Sequence, residues 1–500
     1  MRKSRSFFLS KSQFTRGLQC HKSLWLLKNR PELRAEPDAS LQARFDAGTE
    51  VGILAQQLFP GGVALDYSSG ITQNINTTQK LLRSGSQTIY EATFRHDNIL
   101  AMVDILHRSP SHGWELYEVK SSTETKEIFI NDTAIQYYVV AGSGINISRV
   151  VLVHLNNRYT RIGDLDLQGL FTLDDVTELT LRKQAEIPGQ LAEMRQTLQG
   201  PEPNIDIGPY CTDPYECDFR PYCWKHIPEC SIFDITNLRN NRKFALYYGG
   251  TLHMGDIPPD FTLSDNMQLQ VEAELTGRDF INTSAIREFL ATVIEPVGFL
   301  DFETFMEPVP SFDYQRPYQQ IPFQYSLHIL ANGFLAHHEF LGEPGMDPRR
   351  SFIDKLLFDA RPCRTVLVYN QAFEVTRLQE LADLFPEYTE DIEAIIARIV
   401  DLMVPFRNRD YYVKAMCGSH SIKHVLPALV PDLSYENLAI ADGEMAMLAY
   451  ARLAKISDMD EKKKIRQDLL EYCRLDTLGM VRIWEKLISL AQPREQLSLF

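Results

Sequence analysis

Two carboxylates one residue apart, Asp301 and Glu303, end the apolar run Val297-Gly-Phe-Leu-Asp-Phe-Glu-Thr304. Side chains alternate along a strand, so both acids point one way while Leu300 and Phe302 point into a core. Adjacent anions repel each other, and a sequence tolerates them where a cation sits between them or water screens them. Taken alone, the tripeptide equally fits a solvated strand edge. Two later segments supply acids able to converge on the same cation. Thr365-Val-Leu-Val-Tyr369 predicts a buried strand and Asn370-Gln-Ala-Phe-Glu374 the start of a helix, which puts Glu374 in a helical first turn beside a strand end. Leu469 to Leu487 has helical periodicity, and its Tyr472 and Asp476, four apart, share a face. Four carboxylates and a phenol suit two hard divalent ions, which take oxygen ligands and keep some water. Tyr472, a phenol with an ordinary pKa near ~10, is better placed to orient an attacking water than to take its proton.

In this order, Asp301-Phe-Glu303, Asn370-Gln-Ala-Phe-Glu374 and Tyr472-Cys-Arg-Leu-Asp476 resemble the three motifs of the DnaQ-like 3′–5′ exonucleases of the RNase H-like fold, in the subclass whose third motif is Tyr-x-x-x-Asp. The resemblance runs from about Glu295 to Leu487. It implies an α/β exonuclease domain with a mixed sheet over residues 295–490, in which Asp301, Glu303, Glu374 and Asp476 hold Mg²⁺ or Mn²⁺. That family usually ends its second motif in Asp, and Glu374 is one methylene longer. The strands are expected to continue through Ile321–His328 and His337–Leu341. Asp401 reads as a structural acid, and Gly418-Ser-His-Ser-Ile-Lys423 as a loop entering a helix, where backbone N–H groups and Lys423 could meet a phosphate.

A second set of chemistry lies upstream. Ile99-Leu-Ala-Met-Val-Asp104-Ile-Leu is an apolar strand broken by one acid, and Trp114-Glu-Leu-Tyr-Glu118-Val-Lys120 alternates so that Glu118 and Lys120 share a face with Leu116. The turn-rich His107–Gly113 between them makes a hairpin. Asp104 and Glu118 then come within reach of one Mg²⁺ with Lys120 beside them, which is what phosphodiester hydrolysis asks of a metal and a cation near the developing charge. The bland alternative is a surface Glu-x-Lys pair worth at most ~1 kcal/mol, against which an acid inside an apolar strand weighs. Asp104, Glu118-Val-Lys120 and a helical Gln136-Tyr137 resemble the PD-(D/E)XK nucleases, restriction-endonuclease-like in fold, in the RecB-like branch. Such domains often carry Gly-x-x-x-His near the start. Here Gly48-Thr-Glu-Val-Gly52 has Gly in place of His, and Glu50 or Glu91 could supply a further ligand.

Cys211, Cys217 and Cys223 recur with five residues between neighbours, Cys20 lies far upstream and Cys230 just beyond. In a cytosolic chain such clustering favours metal over disulfide. RecB-like nucleases that hold a four-iron four-sulfur (4Fe-4S) cluster use one early and three late cysteines, so the resemblance implies Cys20, Cys211, Cys217 and Cys223 as ligands. With Cys230 at hand, Zn²⁺ is the alternative. Cys363, Cys417 and Cys473 read as core or surface residues.

The elements that must position these groups fit a chain of 500 residues, long enough for two to three domains. A RecB-like nuclease over 1–230 is followed by a helical connector over 231–294 with a helix near Ser264–Leu275, the exonuclease over 295–490 and a tail over 491–500. In the first domain Ser10 or Ser12 is expected to cap a helix, and Asp46–Leu58 to form another. The joint arrangement looks like a bacterial family of uncharacterised two-nuclease proteins.

A net charge of −15 argues against a nucleic-acid partner. Nine Lys or Arg up to Arg34 against the single Glu32 soften this, because phosphate contacts can be local. No apolar run approaches the ~20 residues of a membrane helix, and Phe7-Phe8-Leu9 is too short for a signal-peptide core, so a cytoplasmic protein is expected. The last five residues, Gln496-Leu-Ser-Leu-Phe500, resemble the bacterial sliding-clamp-binding pentapeptide, which implies Gln496, Leu497, Leu499 and Phe500 as clamp contacts; folding back onto the chain's own surface is the alternative. The expectation is a Mg²⁺- or Mn²⁺-dependent nuclease with two active sites acting on DNA, single-stranded DNA included, in repair or defence. RNA exonuclease activity, or a nucleic-acid-binding adaptor with a decayed first site, are the alternatives.

Overall fold

The computed structural model describes residues 8–491 except 38, 111, 112, 434, 436 and 437, so the pentapeptide at 496–500 lies outside the described residues. The chain divides into two compact units, Met1–His226 with Glu307–Gln319, and Ile227–Met306 with the chain from Gln320 onward. Both are α/β with mixed sheets. The stretch 231–294 belongs to the second unit. Among the described residues no helix is long and apolar enough to cross a membrane.

Among its described residues the first unit holds a seven-stranded sheet. Its strands are β1 (Leu9–Ser10), β2 (Val63–Ala64), β3 (Thr88–His96), β4 (Ile99–Ser109), β5 (Gly113–Lys120), β6 (Ile147–Leu155) and β7 (Phe171–Asp175). Asp97 and Asn98 join β3 to β4 with φ of 46° and 56°. Two left-handed residues in a row are what a tight hairpin needs to match strand twist, and Asp and Asn tolerate that region. The expected β4–β5 hairpin is present, paired from Ser109↔Gly113 to Ile105↔Tyr117.

The register along β4 opens a gap in this sheet. The first residues of β4 pair with β1 (Leu9↔Ile99, Ser10↔Leu100), while its last residues pair with β5. Both strands lie along the same edge of β4, because β3 takes the other. Residues 101–104 are left without a partner on that edge, and the chain enters the gap on one side at Lys11 and on the other at Glu118.

Around this sheet run α1 (Lys11–Gln19), α2 (His21–Asn29), α3 (Ala39–Gln56), α4 (Ile71–Ser84) and α5 (Glu127–Gly142). Ser10, one of the two expected caps, starts α1 through a reciprocal capping box with Gln13. Helix α3 begins seven residues before the expected Asp46, just after Asp38, a residue type favoured before a helix start that the periodicity reading passed over. Leu9, Phe14, Leu116, Ile135 and Val150 share the core beneath α1 and α5. Gly17 packs closely there: a Cβ would stand 2.6 Å from the Met194 sulfur, so the methionine side chain would have to move aside for any larger residue.

In the second unit β8 (Phe280–Ile281) precedes a five-stranded sheet of β9 (Val297–Phe305), β10 (Ile321–Ala331), β11 (Phe334–Leu341), β12 (Thr365–Val368) and β13 (Ile399–Asp401), and β14 (Tyr411–Tyr412) pairs back with β8. The sheet order is β11-β10-β9-β12-β13, with β9 antiparallel to β10 and parallel to β12. Alternation holds along β9: Leu300 and Phe302 pack with Tyr325, Phe352 and Val366 on one face, and Phe299 joins the core on the other, with Leu367, Met480 and Trp484. The helix Met459–Ala491, 33 residues long, lies over that second face and is fixed to β10 by Gln324, whose Nε2 donates to the Leu469 carbonyl at 2.7 Å.

Phe299 is fully buried beneath this helix. Phe299→Ala is expected to lower the unfolding free energy of the second unit by about 3–5 kcal/mol, read as a fall in the denaturant midpoint; a loss under ~1 kcal/mol would contradict the packing described.

Candidate active sites

In the second unit, β9 and the Met459–Ala491 helix bring Asp301, Glu303 and Asp476 together, with one carboxylate oxygen of each within 4.8 Å of the other two. Strand alternation supplies the first two acids, and a four-residue helical spacing places Tyr472 and Asp476 on the side facing them. Glu374 sits in the first turn of the helix Gln371–Leu384, after Asn370 turns the chain at φ 95°. It stands outside that trio but within electrostatic range of Asp301 and Glu303, and its Oε2 is buried with no hydrogen-bond partner among the described residues.

The electrostatics follow from burial. Desolvation raises Asp301 to about 6. Burial, with the Asp301 charge added, lifts Glu303 to about 8 and Glu374 to about 9, and Asp476 rises well above the carboxylate range for the same reasons. Tyr472 donates a hydrogen bond to Glu303, and burial among carboxylates pushes its own pKa up, so it holds its proton. Lys423, from the first turn of the helix Ile422–Leu429, offsets part of the charge on Glu303 and Asp476.

Three neighbours carried no signal in the sequence. Tyr435 donates to Asp476 Oδ1 at 2.6 Å from a polar loop. Gly443 opens a helix against Glu303, where a Cβ would stand 3.0 Å from Oε2. The Cys473 thiol faces Asp301, 3.9 Å from Oδ2, and adjacency to Tyr472 was the only hint of it. Asp401 has the structural role expected of it: its Oδ1 accepts from the N–H groups of Asn370 and Met403, 3.2 and 3.0 Å away, holding the turn that carries Glu374.

In the first unit, Asp104, Glu118, Lys120 and Gln136 converge at the gap beside β4. Glu118 is 1% exposed. Its Oε1 accepts from Lys120 at 2.8 Å and its Oε2 from Gln136 Nε2 at 2.5 Å, while Asp104 Oδ2 accepts from the Val119 N–H at 2.7 Å. Burial raises Asp104 to about 8, with Glu118 adding to the shift. Burial acts the same way on Glu118, but Lys11 and Lys120 overcome it and hold that carboxyl well below its usual range. Glu91 lies in electrostatic range of Glu118 and Lys11, at a φ of 57° that breaks the β3–β4 ladder between Tyr90↔Ile105 and Ala92↔Val103. Backbone strain of this kind gathers at working sites. Glu50, the other acid expected to supply a further ligand, is exposed on α3. Two members of the site carried no sequence signal. Asp132, one helical turn before Gln136 on α5, pairs with Lys120 at 2.5 Å, and Lys11 donates to Glu118 Oε1 at 2.5 Å.

The four cysteines also meet. Cys20, between α1 and α2, lines one small cavity with Cys211, Cys217 and Cys223, and Lys22, Ile205, Asp206, Phe219 and Arg220 are among the other residues of its wall. Burial raises Cys20 and takes Cys223 to about 11, each feeling the other sulfurs. Arg16 and Arg34 clamp Asp218, the residue after Cys217, at 2.6 and 2.5 Å. Cys230 is elsewhere, in the second unit beside Cys417. Cys363 and Cys473 are buried and Cys417 is exposed, in line with the sequence reading.

Carboxyls with raised pKa bind more protons folded than unfolded between their unfolded value near ~4 and the folded one, so they stabilise at low pH and lose that contribution as pH rises. In chelator, the melting temperature of the second unit is expected to fall from pH 5 to pH 9, through the folded values of Asp301, Glu303 and Glu374. Glu303→Gln should flatten the slope between pH 5 and 8, measured by calorimetry; an unchanged slope would rule out a raised Glu303.

Residues 298–421 match the family model described as "Domain of unknown function (DUF2779)", a span that includes Asp301, Glu303 and Glu374 and stops before Tyr472 and Asp476. The chain is 29% identical over 205 residues to the "Uncharacterized protein MG366 homolog" of Mycoplasma pneumoniae, covering 37% of this chain and 31% of that protein. Identity is 27% over 205 residues, with the same coverage, to "Uncharacterized protein MG366" of Mycoplasma genitalium. It is 23% over 210 residues to "Uncharacterized protein UU173" of Ureaplasma parvum, covering 37% of this chain and 30% of that protein. The matches therefore span under a third of each relative's length. Over residues 298–421 the chain is thus similar to a DUF2779 domain, and it is similar to uncharacterized proteins of Mycoplasma and Ureaplasma.

Proposed function

We propose that the protein is a metal-dependent nuclease with two active sites. The first is a RecB-like PD-(D/E)XK site in the domain 1–230; the second is a DnaQ-like 3′–5′ exonuclease site of the RNase H-like fold over 295–490. The proposed substrate is DNA, single-stranded DNA included, and the setting repair or defence in the cytoplasm. The observation that carries this reading is the convergence of Asp301, Glu303 and Asp476 on one point inside the second unit. Three anions so close, Asp476 buried and Asp301 and Glu303 half-buried, would repel strongly, which makes the set reasonable where cations neutralise it. The donors are all oxygen, which suits Mg²⁺ or Mn²⁺, and the unpartnered Glu374 oxygen adds ligand capacity beside them. Bound there, such ions would activate water and stabilise the leaving oxygen.

The chain's own groups have separate tasks. Tyr472 keeps its proton and orients the water by hydrogen bonding. Lys423 offers a cation to the phosphate where the helix Ile422–Leu429 begins. In the first unit Lys120 faces the charge that develops on phosphorus, while Gln136 keeps Glu118 oriented.

The cysteine cavity suits the proposed 4Fe-4S cluster: four thiols line one small space together with Ile205 and Phe219, and Lys22 in the wall favours thiolates. Such a cluster would tie the early Cys20 to the late cysteines. Eight free thiols agree with a reducing compartment. The tail at 496–500 would tether the enzyme to a sliding clamp.

On end-labelled single- and double-stranded DNA and RNA with Mg²⁺ or Mn²⁺, Asp301→Ala is expected to reduce 3′–5′ trimming at least about 100-fold, and Lys120→Ala to remove a separate activity. Trimming of RNA alone would replace DNA as substrate. If the wild type cuts none of the four, the binding adaptor is the correct reading. Anaerobically purified protein is expected to be brown and to lose its visible absorbance in Cys217→Ser; a colourless sample that contains zinc would replace iron and sulfur.

A further inference from the structure

Lys11 belongs to an unremarkable basic run in the sequence, yet its half-buried side chain reaches a carboxylate that is itself buried. Its ammonium lies 2.5 Å from Glu118 Oε1, the oxygen that Lys120 also approaches at 2.8 Å. With Gln136 on Oε2, both oxygens of that carboxylate are already engaged by the chain itself. The Lys11 charge also feels Lys120, Asp104 and Asp132, and Glu91 lies in range.

The backbone gives Lys11 little freedom to be elsewhere. It is the first residue of α1, immediately after β1 pairs with β4 and the Ser10–Gln13 capping box closes. The far end of the same nine-residue helix is tied down through Arg16 to Asp218 and through Cys20 at the cysteine cavity. Gly17 lets the helix press against Met194 in between. A lysine delivered so rigidly to a buried carboxylate is unlike the mobile ammonium of a surface pair, whose worth is small.

We infer that Lys11 is a built-in counter-ion that competes with a divalent cation for Glu118, so that the first acid site takes its metal at a higher cation concentration than it would without Lys11. This rests on the proposed metal-binding role of Asp104 and Glu118. The physical basis is that an ammonium on Glu118 Oε1 satisfies the oxygen a metal would take and repels the incoming ion. Lys120 alone leaves Glu118 paired, so Lys11 can be removed without stranding a buried charge. Lys11 is thus a positioning residue acting through Glu118, and its removal strengthens metal binding, which the loss of a merely structural contact would not do.

The test is Mn²⁺ binding to the full chain, followed by electron paramagnetic resonance at pH 8.5, where protons compete least. An Asp301→Asn and Glu303→Gln background silences the second site. Lys11→Met is expected to bind Mn²⁺ about tenfold more tightly, equivalent to ~1.4 kcal/mol, and Lys11→Arg to behave like the parent. Lys11→Gln, which keeps a hydrogen-bond donor but no charge, should follow Lys11→Met and stands in for it if the methionine variant does not fold. Unchanged or weaker binding in the neutral variants, with parental binding abolished by Asp104→Asn, would overturn the role of Lys11 alone. No Mn²⁺ binding by the parent, or binding indifferent to Asp104→Asn, would overturn the metal-site reading with it.

Discussion

Carboxylates held side by side away from water are the constraint around which both units are arranged. Each costs desolvation and repels its neighbours, so it survives only where something answers its charge. The two units answer differently. The first places ammonium groups, Lys11 and Lys120, directly on Glu118 and lets Asp104 take the proton. The second gives its acids few cations and leaves Asp301, Glu303, Glu374 and Asp476 inclined to hold protons. One site carries an internal salt; the other is a cluster of acids whose affinity for protons is raised and which becomes strongly anionic as they are lost.

This difference is set by secondary structure. In the second unit all the acids come from the middle of a sheet and from helices laid across it, where backbone hydrogen bonds are internal and Lys423 offsets only part of the charge. In the first, the site sits where two strands part company along an edge of β4, and a gap in a sheet admits side chains from whichever segment enters it. Lys11 and Glu118 reach the gap from opposite ends.

How much of this was readable depended on the range of the interaction. Asp301 and Glu303 follow from period-two alternation, Tyr472 and Asp476 from helical spacing, and Glu374 from a strand that stops at Asn370; each rests on at most a few neighbouring residues. The β4–β5 hairpin and the strands of the second sheet were equally local. Lys11 was not readable, because its partner is 107 residues away and nothing about Ser-Lys-Ser marks the middle lysine. Tyr435, 41 residues from Asp476, sits in a stretch without periodicity. Strand β1 is two residues long and pairs with a strand some ninety positions later, so no pattern within it could announce a sheet. The late cysteines were visible by their spacing, whereas the Arg16 and Arg34 clamp on Asp218 that steadies them was not.

The placement of β1 and α1 has a bearing on how the chain is made. Residues 9–20 leave the ribosome before the surfaces they dock on: β4 follows at residue 99, and the Asp218 and cysteine anchors only beyond residue 210. Loop closure over such separations is slow relative to local helix formation. This segment must therefore wait in the nascent chain with Leu9 and Phe14 uncovered, and the lysine that completes the first site would be seated among the last events of that unit's assembly.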